Sequence, residues 1–254
     1  MRILVLVKRV PATGGRIVLA DDGRSIDTRF LGFVVSPHEE CGVEEAVRLI
    51  EANGGESVVM TLGPADAADQ LRDALAVGID RAVLLETDGS DWDPLATATA
   101  LTEAVRRLEA ADGPFDLILV GNESADSGGF QVGIRIAVAL DRPVVTGIKA
   151  LEIRDGVATA RRQVSGGFDI YGLPLPAVVG VREGINLPRY PSVPGRLRAR
   201  KKEIETSQPE RVAGGPTLDR LRLPVEQEAQ AEILGHGPEA APRVVEVMRE
   251  LGVL

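Results

Sequence analysis

The chain has 254 residues, and its 29 basic and 38 acidic side chains give a formal charge of −9. A hydrophobic share of 44% and a charged share of 26% exclude whole-chain disorder. No apolar run approaches the roughly 18 to 20 residues a bilayer needs, and the acidic balance with 3% aromatic content excludes a general nucleic-acid binder, which needs a basic face and stacking platforms.

The N-terminal run at residues 1–7, continuously apolar from Ile3 to Val7, leads straight into Lys8-Arg9, so it reads as a first strand and is too short for the core of a signal peptide. Residues 16–33 are short-period and carry Asp22-Gly23, the mark of a hairpin or an irregular excursion. From His38 to Asn53, Val43, Ala46, Val47 and Ile50 recur at helical spacing, and Gly54-Gly55 ends that helix. Ser57–Leu62 is the next strand, followed by a helix from Pro64 to about Val77. Arg81–Glu86 is a third strand; Asp93-Pro94 then opens a helix that runs to Ala111. Asp116–Val120 is a fourth strand, and Gly133–Leu140 lies in a fourth helix. This alternation predicts an α/β fold, a mostly parallel sheet flanked by helices of the Rossmann-like, adenine-nucleotide-binding kind.

Beyond Pro143 the rhythm changes. Ile148–Ile153 and Val157–Val164 flank Asp155-Gly156 as a β-hairpin, and Ala177–Val181 is a further buried strand. From Glu183 the pattern loosens into prolines and then the basic run Arg196–Lys202, a solvated face or a docking surface for an acidic protein. The last fifty or so residues hold one amphipathic helix near 242–251 and read as an extended arm, packed on a partner or on its own core, or else disordered.

A single cysteine, Cys41, excludes an internal disulfide and a cysteine-based metal cluster, and the two histidines, His38 and His236, are far apart, so no metal site is expected. A reducing, cytoplasmic setting fits this usage. Cys41 lies on an apolar helical stripe, where a buried structural role is expected. Glu44 and Glu45 fall in early turns of the same helix, where solvated acids complement its dipole.

Ligands of an open parallel sheet bind at strand carboxyl ends near the switch point. Of the loops that qualify, the richest is Gly121-Asn122-Glu123-Ser124-Ala125-Asp126-Ser127-Gly128-Gly129-Phe130-Gln131-Val132-Gly133, which joins a strand to a helix. Its glycines allow phosphate to approach backbone N–H groups beside a helix N-terminus; a long polar loop with turn glycines is the plainer account. Ser165-Gly166-Gly167-Phe168-Asp169 spells the pyrophosphate loop of ATP-dependent amidotransferases, but it ends the hairpin instead of joining a strand to a helix. Two competing classes are therefore an ATP pyrophosphatase-type enzyme and a universal-stress-type nucleotide-binding module.

Several ordered motifs resemble those of the electron-transfer flavoprotein beta subunit: Val7-Lys8-Arg9-Val10-Pro11, Val43-Glu44-Glu45-Ala46-Val47-Arg48, Gly63-Pro64, residues 74–81, Leu175-Pro176-Ala177-Val178-Val179 and, most specifically, Asn186-Leu187-Pro188-Arg189-Tyr190-Pro191-Ser192-Val193-Pro194. The likeness is nearly gap-free from residue 1 to about 205. It implies a nucleotide-binding domain over 1–205 and an arm over 206–254 that packs on an alpha subunit. It also implies an electron carrier and not an enzyme in its own right. Electrons would pass from flavin dehydrogenases, such as acyl-CoA dehydrogenases of fatty acid oxidation, to a membrane quinone oxidoreductase. FAD would lie mainly on the alpha subunit and AMP in this chain, or a second FAD where relatives bifurcate electrons with NADH.

Carried over by position, the nucleotide site comprises Leu6, Ser36, Pro37, His38, Glu39, Leu62 and Gly121 through Gly133. Residues 128–132 would hold phosphate, and Leu6, Ser36–His38 and Leu62 would surround adenine. Leu187, Tyr190, Val193 and Arg196 would dock the partner, Val193 standing where the family carries a Leu. Three departures stand out: Val132 replaces a Thr, Thr13 a flavin-facing Tyr, and Gln163 a tethering Glu.

Overall fold

A computed structural model describes residues 1–12, 14, 17–224 and 232–254. In chain order the elements are β1 (Arg2–Leu6), β2 (Arg9–Pro11), β3 (Phe33–Val35), α1 (Pro37–Asn53), β4 (Glu56–Gly63), α2 (Ala68–Val77), β5 (Arg81–Glu86), α3 (Pro94–Asp112), β6 (Leu117–Gly121) and α4 (Val132–Ala139). They continue as β7 (Val144–Arg154), β8 (Val157–Val164), β9 (Gly167–Pro174), β10 (Ala177–Val181), α5 (Val193–Ala199), β11 (Ile204–Ser207) and α6 (Ala241–Glu250).

Among the described residues the main sheet has the order β11-β5-β4-β1-β6-β10-β7-β8-β9. It is parallel from β11 to β7, and β7, β8 and β9 form an antiparallel meander. Ile3 and Val5 of β1 pack with α1 and α2 on one face, while Leu4 and Leu6 pack with α3 and α4 on the other. That two-sided cover explains the unbroken apolar run, since successive side chains point to opposite faces and both faces are dry. Full burial of each such side chain contributes about 1.5–3 kcal/mol.

From β1 the chain steps to β4 and β5 on one side, then crosses back to place β6 on the other side of β1. The reversal opens a crevice at the carboxyl ends of β1 and β6, where α1 begins and the long loop after β6 departs.

The α/β architecture and the hairpin agree with the sequence reading. Three features differ in detail. β9 adds a third meander strand; its Phe168 and Ile170 stay exposed, so no buried alternation marks it. β11 adds an edge strand beside β5, although Ile204–Ser207 has little apolar character. The basic run begins in α5, with Ser192 accepting a hydrogen bond from the Gly195 N–H as its cap. In the described part of that stretch, residues 17–32 form an irregular excursion, closed by one antiparallel bridge between Leu19 and Ile26.

The arm leaves β11 along the molecule's own surface. Arg211 lies over the Trp92 ring at 5.6 Å, and the Leu221 N–H donates to the Gly23 carbonyl at 2.8 Å. α6 has no buried residue. No helix among the described residues is long and apolar enough to cross a membrane.

Candidate functional site

The crevice is built from two loops and one helix start. Ser36 sits in extended backbone and Pro37 opens α1, a pairing that pre-sets the first turn. Ser36 is fully buried, with its hydroxyl turned to the Glu39 carboxyl, whose pKa it lowers.

In the first turn of α1, Glu39 is buried beneath the end of β6. Its Oε2 accepts the Lys8 N–H at 2.8 Å. Burial raises its carboxyl to about 8, against the opposing Lys8 N–H hydrogen bond. Gly121 is what admits this side chain: a Cβ there would stand 2.5 Å from Glu39 Cγ.

The loop after β6 turns back on itself through small polar contacts. The Gly128 N–H donates to the Ser124 carbonyl at 3.0 Å, the Ser124 and Ser127 hydroxyls lie 2.9 Å apart, and the Ser127 N–H donates to Asp126 Oδ1 at 2.7 Å. Lys8 Nζ reaches across the crevice to Asp126 Oδ2 at 2.6 Å. Desolvation is the largest influence on Asp126 and raises it, but Lys8 together with hydrogen bonds from Ser124 and Ser127 holds it below the usual carboxylate value. Gly128 has φ +54°, a conformation that favours glycine. Phe130 takes φ +53° without that freedom, and its ring is about half exposed.

These parts enclose a cavity of about 480 Å³, lined by Pro37, His38, Glu123, Ser124, Ala125, Asp126, Ser127, Gly128 and Glu183. His38 Nδ1 accepts the Glu183 N–H at 2.7 Å, which assigns the ring proton to Nε2, 3.5 Å from Glu123 Oε1.

Pro37, His38 and Glu123 through Gly128 thus come together as the sequence placed them. Ser36, Glu39, Gly121 and Asn122 lie behind them, with the Asn122 N–H donating to the Val181 carbonyl at 2.8 Å. Leu6 is buried and Leu62 half-buried in the apolar layer beside α3 and α4. Gly129 leads on to Gln131, whose Oε1 accepts Arg135 Nε and Nη2 at 3.2 and 3.0 Å. Val132 packs against that apolar layer too, and Gly133 leaves no room for a Cβ, which would lie 2.6 Å from Val120 Cγ2. Thr13 lies outside the described residues.

Leu187, Tyr190 and Val193 project from the loop after β10 and from α5, at 90%, 95% and 73% exposure, with Arg196 exposed beside them. Cys41 is buried, with its Sγ 3.8 Å from the Asn186 carbonyl, and desolvation raises its thiol. Glu44 and Glu45 depart from the expectation of solvated acids: both are buried under that loop. One cavity residue escaped the sequence reading of the site, Glu183. It sits just past the carboxyl end of the parallel strand β10, and that position alone marks it. No group of residues able to hold a metal ion occurs among the described residues.

Residues 26–211 match the family model described as electron transfer flavoprotein domain. The chain is 34% identical to the electron transfer flavoprotein subunit beta of Bacillus subtilis (strain 168), with 98% of each chain covered. It is 34% identical to the protein of that name from Syntrophomonas wolfei, over 98% of this chain and 96% of the relative. The Mycobacterium tuberculosis (H37Rv) protein is 35% identical over 80% of this chain and 77% of its own length.

Proposed function

The chain belongs to the electron transfer flavoprotein family as a beta subunit, an electron-transfer subunit, and on that premise we propose that it binds one adenine nucleotide at the β1/β6 crevice and pairs with an alpha subunit that carries the redox FAD. The observation that carries the nucleotide reading is the cavity of about 480 Å³ at the switch point, formed by the start of α1 and the loop after β6.

The donor set fits an adenylate. Backbone N–H groups over residues 129–132, at the start of α4, would take the phosphate, the Gly128 N–H being held by the Ser124 carbonyl. The ribose and base would lie toward Pro37 and His38, with Leu6 and Leu62 backing the adenine side. Glu123 and Glu183 make the wall acidic, so the phosphate depends on backbone donors, with Lys8 offsetting Asp126. Val132 offers no hydroxyl, which leaves the amides to do this holding.

FAD in the complex supplies one- and two-electron chemistry. This chain would bind the nucleotide, wall the flavin cleft and present Leu187, Tyr190, Val193 and Arg196 to flavin dehydrogenases such as acyl-CoA dehydrogenases. Its electrons would go on to a membrane quinone oxidoreductase, from a cytoplasmic setting. The arm over 206–254 begins inside β11 and touches this chain at Arg211 and Leu221, so its far end would be the part that packs on the alpha subunit, a reading supported by the exposed Val244 and Met248 of α6 and Leu251 just after it.

Co-expression with an alpha subunit should give a yellow heterodimer, and mass analysis of the extracted nucleotide should find one AMP per complex. A second FAD in place of AMP would assign the chain to the bifurcating branch. A stable flavoprotein formed by this chain alone would overturn the division of labour.

A further inference from the structure

We infer that Glu44 and Glu45 of α1 are positioning residues for partner recognition, clasping the loop between β10 and α5 so that its apolar tips are fixed before any partner arrives. The inference rests on the docking reading above.

The loop residues alternate in direction. Leu187 and Tyr190 point out, almost fully exposed, and contribute nothing to holding the loop. Asn186 and Arg189 point in. Arg189 donates through Nε and its backbone N–H to Glu44 Oε2 at 2.9 and 3.1 Å, and through Nη2 to Glu44 Oε1 at 3.0 Å. Glu51, two turns on, takes Nη1 and Nη2 at 2.6 and 3.0 Å. The hydrogen bonds it donates to Glu51 and Glu44 hold the guanidinium above its ordinary value. Asn186 Nδ2 donates to Glu45 Oε2 at 2.8 Å and to the Cys41 carbonyl at 3.0 Å.

Two adjacent buried carboxylates are a costly way to cover a helix face, because desolvation opposes them and apolar packing would serve stability as well or better. What they add is register. A planar guanidinium forked onto a carboxylate accepts one geometry, and a carboxamide bridging a backbone carbonyl and a second carboxylate accepts another. Fixed at both points, the segment between presents Leu187 and Tyr190 in one arrangement, and a preordered loop loses less freedom on binding.

The test uses the flavin-loaded heterodimer carrying Glu44→Gln or, on the loop side, Asn186→Ala. The rate of its reduction by an acyl-CoA dehydrogenase is measured alongside hydrogen exchange of the amides over 186–191. Either variant should raise KM for the heterodimer about tenfold, equivalent to about 1.4 kcal/mol. The kcat and flavin and nucleotide content should stay at parental values, and the loop amides should exchange faster. Glu45→Gln keeps an acceptor for Asn186 and should retain parental KM. Parental KM and exchange in both primary variants would overturn the inference. So would a fall in kcat and cofactor content with unchanged loop exchange, which marks a merely structural role. Val193→Ala is the control for the reading beneath: unchanged KM there would remove the docking assignment, while the exchange measurement still judges the clasp.

Discussion

Two loops leave the carboxyl edge of the sheet side by side, one after β6 and one after β10, and they are held by different means. The loop after β6 is set by backbone and close approach. Gly121 lets Glu39 slide beneath it, Gly133 lets the start of α4 sit on Val120, and the turn between them closes on its own Ser and Asp side chains. The loop after β10 is set by side chains from a helix more than a hundred residues earlier in the chain. The difference follows from what each loop offers. A cavity that takes a ligand through N–H groups needs its backbone fixed, and steric contact fixes backbone. A surface that offers apolar side chains cannot bury them to gain order, so it must be fastened by its other residues.

The sharpest way to break this contrast is Gly121→Val. A Cβ at that position already meets Glu39 Cγ at 2.5 Å, and the two further methyl groups deepen the clash with a buried carboxyl side chain. The expected cost is about 3 kcal/mol of folding stability, read from thermal unfolding, with loss of retained nucleotide. Hydrogen exchange over 186–191 should stay parental, because the clasp on α1 lies beyond Glu39. Retained nucleotide in a fully stable variant would show that close approach does not build the rim.

A smaller effect concerns the proton on Glu39. Burial raises this carboxyl from 4.5 to about 8. The groups facing it are Lys8 after β1, which donates its N–H, the Ser36 hydroxyl, which also lowers it, and Asp126 on the loop after β6, whose charge raises it further. The folded state therefore holds the proton more tightly than the unfolded chain. The resulting stability is complete below about pH 4.5 and is lost as pH rises through about 8. Glu39→Gln removes the ionisation while keeping the shape. Its stability should match the parent near pH 4 and exceed it progressively as pH rises toward 8. Parallel pH profiles for parent and variant would mean that Glu39 is not the group that titrates.

The same contrast explains what could be read from the sequence. Periodicity found the parallel sheet and its four helices, because β1, β4, β5, β6 and β10 are covered on both faces and carry unbroken apolar runs. Strand-end logic then led to the loop after β6, since that rim is made by residues adjacent in sequence. The clasp was illegible for the opposite reason. Val43, Ala46 and Val47 identify one buried face of α1, and Glu44 and Glu45 fall outside it at helical spacing. Nothing local says that residues 186 and 189 will cover them. β11 escaped because a short edge strand needs only backbone pairing on one side, and Ile204–Ser207 supplies that with mostly polar residues.

Tyr190→Ala gives the smallest expected effect and asks whether the loop's order owes anything to its tips. The ring is 95% exposed, so removing it deletes almost no buried area, and thermal stability should change by less than about 0.5 kcal/mol. Loop amide exchange should also stay parental, because Arg189 beside it keeps its contacts with Glu44 and Glu51. Only the reaction with a dehydrogenase should slow. If the loop amides lost protection in this variant, the ring would be ordering its own loop, and the division between fastening residues and presenting residues would fail at the position where it is drawn most plainly.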